Sequence, residues 1–419
     1  MLDLKNIREN PEEIKEGIKK KGAPPELIDE ILSLDEKRRK LLLEIETIRH
    51  KKSEAEERIA QGLKEESLIN TLKEVKIFLD NKESDLKVIE EQLNNLIYKL
   101  PNLPLAEVPV GQSESDNKII KTWGKIPKFN FPPKDYLTLG EDLDLIDTKR
   151  AAKTSGSRFG FLKGAASILE IALINFAFHK LTKKGFVPVF PPVMIKPKMF
   201  KGMGYIDFSD EEAYFLAKDN LYLVGTSEQI IGPMHADEIF EEKELPKRYV
   251  AFSSCFRREA GSYGKDTRGI LRVHQFDKVE MFIFSKPEES IKEHAFIRQC
   301  EEELMQALHL PYRLVQLCTL ELAQPSATTY DIETWLPGQN NYRETHSSSN
   351  CTDFQARRLN IKYRLNSGEI KFVHTLNGTA FAMGRMIIAI LENYQQKDGS
   401  IKIPKALWPY TFGLRLIKK

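Results

Sequence analysis

Between residues 27 and 96 the chain carries a pattern that few folds can accept. Leu27, Ile31, Leu34, Arg38, Leu41, Ile45, Ile48, Lys52, Ala55 and Ile59 recur at alternating spacings of four and three. After a break at Gln61-Gly62 the spacing resumes through Leu68, Leu72, Val75, Leu79, Lys82, Leu86, Ile89, Leu93 and Leu96, and Pro101 stops it. A seam sustained this long specifies coiled-coil helices, each about 35 residues and roughly 50 Å long. With only a short turn between them they must return antiparallel. A globular core has little use for such an arm, so a projecting helical hairpin is predicted over about residues 26–98. Dimerisation or spacing would explain it as well as contact with a large partner such as RNA. Charge does not choose between them, because residues 1–100 hold 20 Lys and Arg against 23 Asp and Glu. The clusters Lys37-Arg38-Arg39-Lys40 and Arg49-His50-Lys51-Lys52 could still present basic faces to phosphates.

The remaining length, out of 419 residues, is enough for one or two further domains. A net charge of +2 excludes a bulk polyanion binder, so any nucleic-acid contact must come from local patches. Cys255, Cys300, Cys318 and Cys351 stand far apart with no C-x-x-C pair, which predicts reduced thiols and no structural zinc. The start MLDLKNIRENPEE is too polar and acidic for a signal or transit peptide. The most apolar run, residues 165–181, is interrupted by Glu170, Asn175 and His179 and reads as too short for a bilayer. A cytoplasmic location without membrane contact is therefore expected.

Ahead of the arm, Ile7, Ile14 and Ile18 mark a short amphipathic start that ends at Gly22 and Pro24-Pro25. Beyond it, a Pro-rich linker at 101–111 leads to a predicted strand at 154–164 and a helix at 165–183 ended by Gly185. The next segment, GFVPVFPPVM, is apolar but contains Pro188, Pro191 and Pro192, which places it at a sheet edge or an interface. Residues 221–228 read as a strand running into Thr226-Ser227-Glu228, a group that could hold an ammonium or simply cap a helix. A helix is expected over 288–308 and a strand around Tyr330, Ile332 and Trp335. Residues 341–350 are polar enough for a solvated loop, unless Glu344 and Ser347 serve as hard oxygen ligands for Mg²⁺ on phosphates. Residues 373–395 read as strand, Gly-containing turn and apolar helix, with Arg385 near the helix start, where an anion is favoured.

The segment 252–284 carries the strongest chemical signal. Two strands, 252–256 and 276–284, flank a loop containing Gly261, Gly264 and Gly269. Arg257, Arg258 and Glu259 close the first strand, and Arg272 and Phe276 open the second. An antiparallel pairing gathers guanidinium groups, a carboxylate and a flat ring in one volume, which suits a nucleotide. An ordinary charged hairpin is the alternative.

Taken in order, the helix with GFVPVFPPVM (about 165–196, Pro192 as its signature proline), FRRE…RVHQF (about 252–284) and NGTAFAMGR (about 373–395) resemble the three motifs of class II aminoacyl-tRNA synthetases. With the arm, T-S-E, SYGKDTRG, V-E-M, Y-R-E-T-H-S-S-S-N and F-Q-A-R-R, essentially the whole chain resembles the seryl-tRNA synthetases of bacterial type. The resemblance implies an α+β protein: residues 1–104 as a tRNA-binding unit with an antiparallel coiled-coil arm, and 105–419 as a catalytic core with a mostly antiparallel sheet flanked by helices. It implies ATP, L-serine and Mg²⁺, a homodimer, and tRNA(Ser) as acceptor, with tRNA(Sec) left open. Carried over by position, Thr226, Ser227, Glu228, Glu280 and Thr379 would bind serine, Thr226 and Glu228 at its amino group and Glu280 and Thr379 at its hydroxyl. Arg257, Arg258, Glu259, Phe276, Glu344, Thr345, His346, Ser347 and Arg385 would bind ATP, with Glu344 and Ser347 carrying Mg²⁺ and Arg257 and Arg385 catalytic. Val224-Gly225 before the T-S-E triplet, Arg258, Thr345, His346 and Ser348 depart from the usual pattern, which bears on fine substrate preference. A related ligase loading a carrier protein would lack the arm, and a non-catalytic relative would have lost Arg257, Glu259 or Arg385.

Overall fold

The computed structural model describes residues 1–61, 66–205, 212–260 and 268–419, leaving aside the side chains of 66–69 and 71. Gly62, the Leu68 side chain and most of SYGKDTRG lie outside the described residues. The chain divides into two compact units, Met1–Leu103 and Pro104–Lys419.

In the first unit α1 (Leu4–Glu9) and α2 (Pro11–Lys20) precede α3 (Glu26–Ala60) and α4 (Glu66–Lys99). Pro11 sits in the first turn of α2, where its missing N–H is not needed, and divides what the sequence suggested was one helical start. Ile7, Ile14 and Ile18 are buried against Ile28, Ile31, Leu93 and Ile97, which roots the hairpin in a small core. The heptad seam forms as expected: Leu41, Ile45 and Leu79 are buried, and Ile48, Val75, Leu86 and Ile89 pack on them. Cross-helix ion pairs match the antiparallel register, Arg38–Glu90 at 3.6 Å and Lys82–Glu44 at 2.7 Å. These pairs also explain two charged residues at seam positions. Asp35, 1% exposed, receives Arg8 at 3.1 Å and Arg38 at 3.4 Å.

The second unit is built on an eight-stranded sheet. Its strands are β1 (Lys118–Trp123), β2 (Val187–Val189), β3 (Lys247–Phe256), β4 (Gln275–Ser285), β5 (Tyr312–Gln316), β6 (Thr328–Leu336), β7 (Asn341–Asn350) and β8 (His374–Ala382). They lie in the order β1-β5-β6-β7-β8-β4-β3-β2. All neighbours are antiparallel except β2 on β3. The proline-broken β2 is an edge strand, as its composition requires. Helices α5 (Ala165–Thr182), α6 (Ser290–Ala307) and α7 (Met383–Tyr394) cover one face, joined to the sheet by a core that includes Leu169, Phe176, Met281, Ile297, Phe381 and Ile387. By length and mean hydropathy (18 residues, 1.2) α5 could cross a membrane, contrary to the sequence reading. Here its Leu169, Leu173, Phe176 and Leu181 are buried in the core.

Three local expectations are corrected. Residues 154–164 contribute only the two-residue strand Phe161–Leu162, because the helix Thr148–Ser155 and Gly156 (φ +99°) precede it. The polar stretch 341–350 is not a loop but β7, inside the sheet, with its hydroxyls and carboxylate meeting polar partners. The Gly-containing turn expected between strand and helix in 373–395 does not form: Gly378 lies within β8, and α7 follows that strand directly. Gly378 is needed for close approach: a Cβ there would stand 2.2 Å from Ile297 Cγ2 of α6.

Candidate active site

On the sheet face opposite the helices a cavity of about 440 Å³ opens over β4, β8 and β7. Strand alternation directs Phe276, Lys278 and Glu280 of β4 into it. Asn377 and Thr379 of β8 face it as well, and Ser347 and Ser349 of β7 do the same. Two β-bulges adjust this pattern. One at Ala380 pairs Thr379 with Glu280 and turns Ala382 to the cavity side. The other, at Thr345, brings Glu344 onto the wall that Ser347 occupies, although three residues along a regular strand would point them to opposite faces.

Arg257 follows the end of β3 and lies over the Phe276 ring, its guanidinium carbon 5.3 Å from the ring centre. Its Nε donates to the Gly225 carbonyl at 3.2 Å. Glu259, in a left-handed conformation (φ +52°), accepts from Arg272 at 3.1 Å. Arg257, Glu259, Arg272 and Phe276 thus all line the cavity, gathered as the hairpin predicted. At the mouth, Arg385 from the first turn of α7 pairs with the Glu344 carboxylate at 3.0 Å. Burial pushes that carboxyl up, but the Arg385 charge and hydrogen bond, with the charges of Arg257 and Lys278 added, together hold it below the ordinary value.

Thr226, Glu228, Glu280 and Thr379 line the same cavity. Glu280, 1% exposed, pairs with Lys278 at 2.6 Å and accepts from Thr379 at 3.3 Å and from the Asn377 amide at 3.5 Å. Glu228 accepts from the Tyr205 hydroxyl and from the same Asn377 amide. Burial first, then the Glu280 charge, raises Glu228 to about 7.

Three residues named from the sequence do not reach this space. Ser227 is fully buried, with its hydroxyl directed at the Ala251 carbonyl at 3.4 Å. Arg258 points away to the Ala213 carbonyl (2.9 Å) and over the Tyr214 ring. His346 alternates to the helix side, its ring 5.9 Å from Phe381, and burial lowers it to about 3. Thr345 lines the cavity while its hydroxyl meets Thr334 at 2.7 Å. The sequence reading missed Lys278, Asn377 and Tyr205. The first two were within reach, since each stands two residues before a named strand residue and so shares its face. Tyr205 arrives from a separate segment and carried no local signal.

Residues 1–104 match the family model "Seryl-tRNA synthetase N-terminal domain", and residues 214–394 match "tRNA synthetase class II core domain (G, H, P, S and T)". A serine–tRNA ligase of Petrotoga mobilis is 46% identical over 417 residues, 98% of each chain. The crystal structure of seryl-tRNA synthetase from Pyrococcus horikoshii complexed with ATP superposes with a TM-score of 0.94 at 42% identity, covering 100% of this chain and 99% of that one. The cytoplasmic serine–tRNA ligase of Naegleria fowleri in complex with AMP gives 0.90 at 32% identity, with the same coverage. The fold, the arm and these likenesses agree along the full length: the chain belongs to the seryl-tRNA synthetase family of class II aminoacyl-tRNA synthetases.

Proposed function

We infer that the protein is an ATP-dependent serine–tRNA ligase. It joins L-serine to ATP as seryl-adenylate, releasing pyrophosphate, and passes the seryl group to the terminal adenosine of tRNA(Ser). The observation that carries this reading is that one cavity is lined by both the Arg257–Phe276 pair and the Glu228, Glu280 and Thr379 group.

The serine carboxylate is itself the nucleophile, so no protein base is required. Its oxygen bonds to the α-phosphorus as the bond to pyrophosphate breaks, and the protein's task is alignment and charge relief. We assign Arg257 to the carboxylate and α-phosphate, Phe276 and Arg385 to the two adenine faces, and Glu259 to the adenine edge. Thr226 and Glu228 take the ammonium, and Glu280 and Thr379 take the hydroxyl. Ser227, Arg258 and His346 stand outside the cavity, Ser227 against the Ala251 carbonyl of β3 and Arg258 against the Ala213 carbonyl.

Glu344 and Ser347 are hard oxygen donors on one wall, which fits Mg²⁺. No three His, Cys, Asp or Glu side chains among the described residues form a metal cage. Phosphate oxygens of the bound nucleotide would complete such a site. Mg²⁺ bound there supplies charge relief on those oxygens.

The N-terminal unit is assigned to tRNA. We also assign a homodimer, on the exposed apolar residues of the α5–β2 region: Phe190 is 73% exposed and stacks on Phe178, with Val187, Met194 and Ile171 also exposed. The cytoplasm is the proposed compartment, in keeping with four free, buried thiols.

One assay tests the reading: ATP–pyrophosphate exchange with each of the twenty amino acids, then charging of total tRNA and of a selenocysteine tRNA. Serine alone should support exchange. A pure, folded sample that makes no adenylate with serine overturns it.

A further inference from the structure

Asp331 of β6 holds a carboxylate oxygen that the protein leaves unanswered. The residue is 9% exposed, and its Oδ1 is buried with no hydrogen-bond partner. It stands directly opposite Ser347 in the β6–β7 ladder, so the two side chains leave the sheet on the same face. Ser347 lines the cavity on that face, and the bulge at Thr345 delivers Glu344 beside it. The electrostatic neighbours of Asp331 are the Ser347 hydroxyl, the carboxylates of Glu344 and Glu333, and the Arg385 guanidinium. Arg385 is already engaged with Glu344 at 3.0 Å, and Glu333 accepts from Arg313. No cation among these neighbours is left for Asp331. The buried Asp331 carboxylate is therefore repelled by Glu344 and Glu333 with no cation of its own to offset them.

We propose that Asp331 is a third protein oxygen donor at the divalent-cation position, beside Glu344 and Ser347. This rests on the assignment of Glu344 and Ser347 to that cation. Mg²⁺ and Mn²⁺ favour six oxygens, of which a protein typically gives one or two carboxylates while phosphates and water give the rest. Asp331 and Glu344 make that pair of carboxylates. On this arrangement the orphaned Oδ1 is a ligand position, and Arg385 is free to turn from Glu344 to the nucleotide once the cation neutralises both acids.

The test uses the full-length protein with Mn²⁺ and a non-hydrolysable ATP analogue, without serine, so that nothing turns over. Bound Mn²⁺ is counted by electron paramagnetic resonance. The proposal expects Asp331→Asn to weaken Mn²⁺ binding by at least about tenfold. Binding of the analogue without metal should stay within about twofold of the wild-type value. Glu344→Gln should weaken Mn²⁺ binding as well. Wild-type affinity in Asp331→Asn alongside weakened binding in Glu344→Gln overturns the role of Asp331 and leaves the cation site standing. Wild-type affinity in both variants overturns the cation assignment too. Should the Asn variant fail to fold, the wild type decides alone. An anomalous Mn²⁺ peak about 2.0–2.3 Å from an Asp331 oxygen supports the proposal, and one beyond about 4 Å overturns it.

Discussion

Arg385 grips Glu344 twice: its Nη1 lies 3.0 Å from the carboxylate and donates to the backbone carbonyl of the same residue at 2.9 Å. Both residues are assigned to the nucleotide. Binding must exchange this pair for contacts with nucleotide and cation. The pair is cheap to open, because both side chains are partly exposed at the cavity mouth and such pairs contribute about 0–1 kcal/mol.

Arg385→Ala should therefore leave the melting temperature within a few degrees of wild type while lowering kcat/KM for ATP in serine-dependent pyrophosphate exchange by about 10²–10³-fold. Arg385→Lys should recover little, since an ammonium cannot reproduce the flat fork. Exchange kinetics and a thermal melt decide it. An alanine variant exchanging within threefold of wild type removes Arg385 from the mechanism.

Glu280 offers a sharper test, because it is buried with its own-strand neighbour Lys278 and the Ala380 bulge sets it against Thr379. Glu280→Gln keeps the shape and gives up the charge, and should raise the KM for serine by orders of magnitude with ATP affinity preserved. Thr379→Val removes one hydroxyl and should cost about 1–3 kcal/mol in serine kcat/KM. Glu280→Ala is the poorer probe, since it strands the buried Lys278 ammonium and should destabilise the fold by about 3–5 kcal/mol. Normal serine-dependent exchange in Glu280→Gln would refute the assigned role.

These residues also show how far the sequence could be read. The heptad seam declared the arm because its period survives any neighbour. The hairpin declared Arg257, Glu259 and Phe276 because both strands were locally legible. What stayed hidden depends on pairing across the sheet. Period-two alternation cannot foresee the bulges at Thr345 and Ala380, which put Glu344 beside Ser347 and Thr379 beside Glu280. Strand 341–350 looked like a loop because its polar residues find their partners on other strands, such as Thr334 for Thr345 and Thr329 for Ser349. His346, Arg258 and Ser227 were named through neighbours in sequence, and alternation or a turn carries each of them elsewhere.

The two carboxylates that share Asn377 predict a pH dependence of serine binding. Burial, reinforced by the Glu280 charge, raises Glu228 to about 7, so below that value the empty pocket holds a neutral acid. Serine keeps its ammonium throughout and needs the carboxylate, so binding must expel the proton and weakens as pH falls. Between pH 8 and pH 6 serine affinity should fall about tenfold, the change in the ionised fraction of one group titrating near 7. Glu280→Gln removes the repelling charge and should move the midpoint to lower pH. Titration calorimetry in buffers of different ionisation enthalpy reads the released proton directly, and an affinity that is flat from pH 6 to 8 would contradict this account of Glu228.

The arm predicts a separation of the two half-reactions. Its base cannot be removed cleanly, because Ile28, Ile31, Leu93 and Ile97 form the small core with Ile7, Ile14 and Ile18. A cut above the Arg38–Glu90 pair, deleting residues 41–87 and joining the ends through a short glycine turn, spares that core and removes the Leu41, Ile45 and Leu79 seam. None of the deleted residues lines the catalytic cavity, so serine-dependent pyrophosphate exchange should stay within about threefold of wild type. Charging of tRNA(Ser) should fall by at least about 10²-fold, the loss of roughly 3 kcal/mol of contact along the removed helices. Charging at the wild-type rate would return the hairpin to the other reading its heptads allowed, a spacer or a dimer contact, and would leave the reader of tRNA to be sought on the catalytic unit.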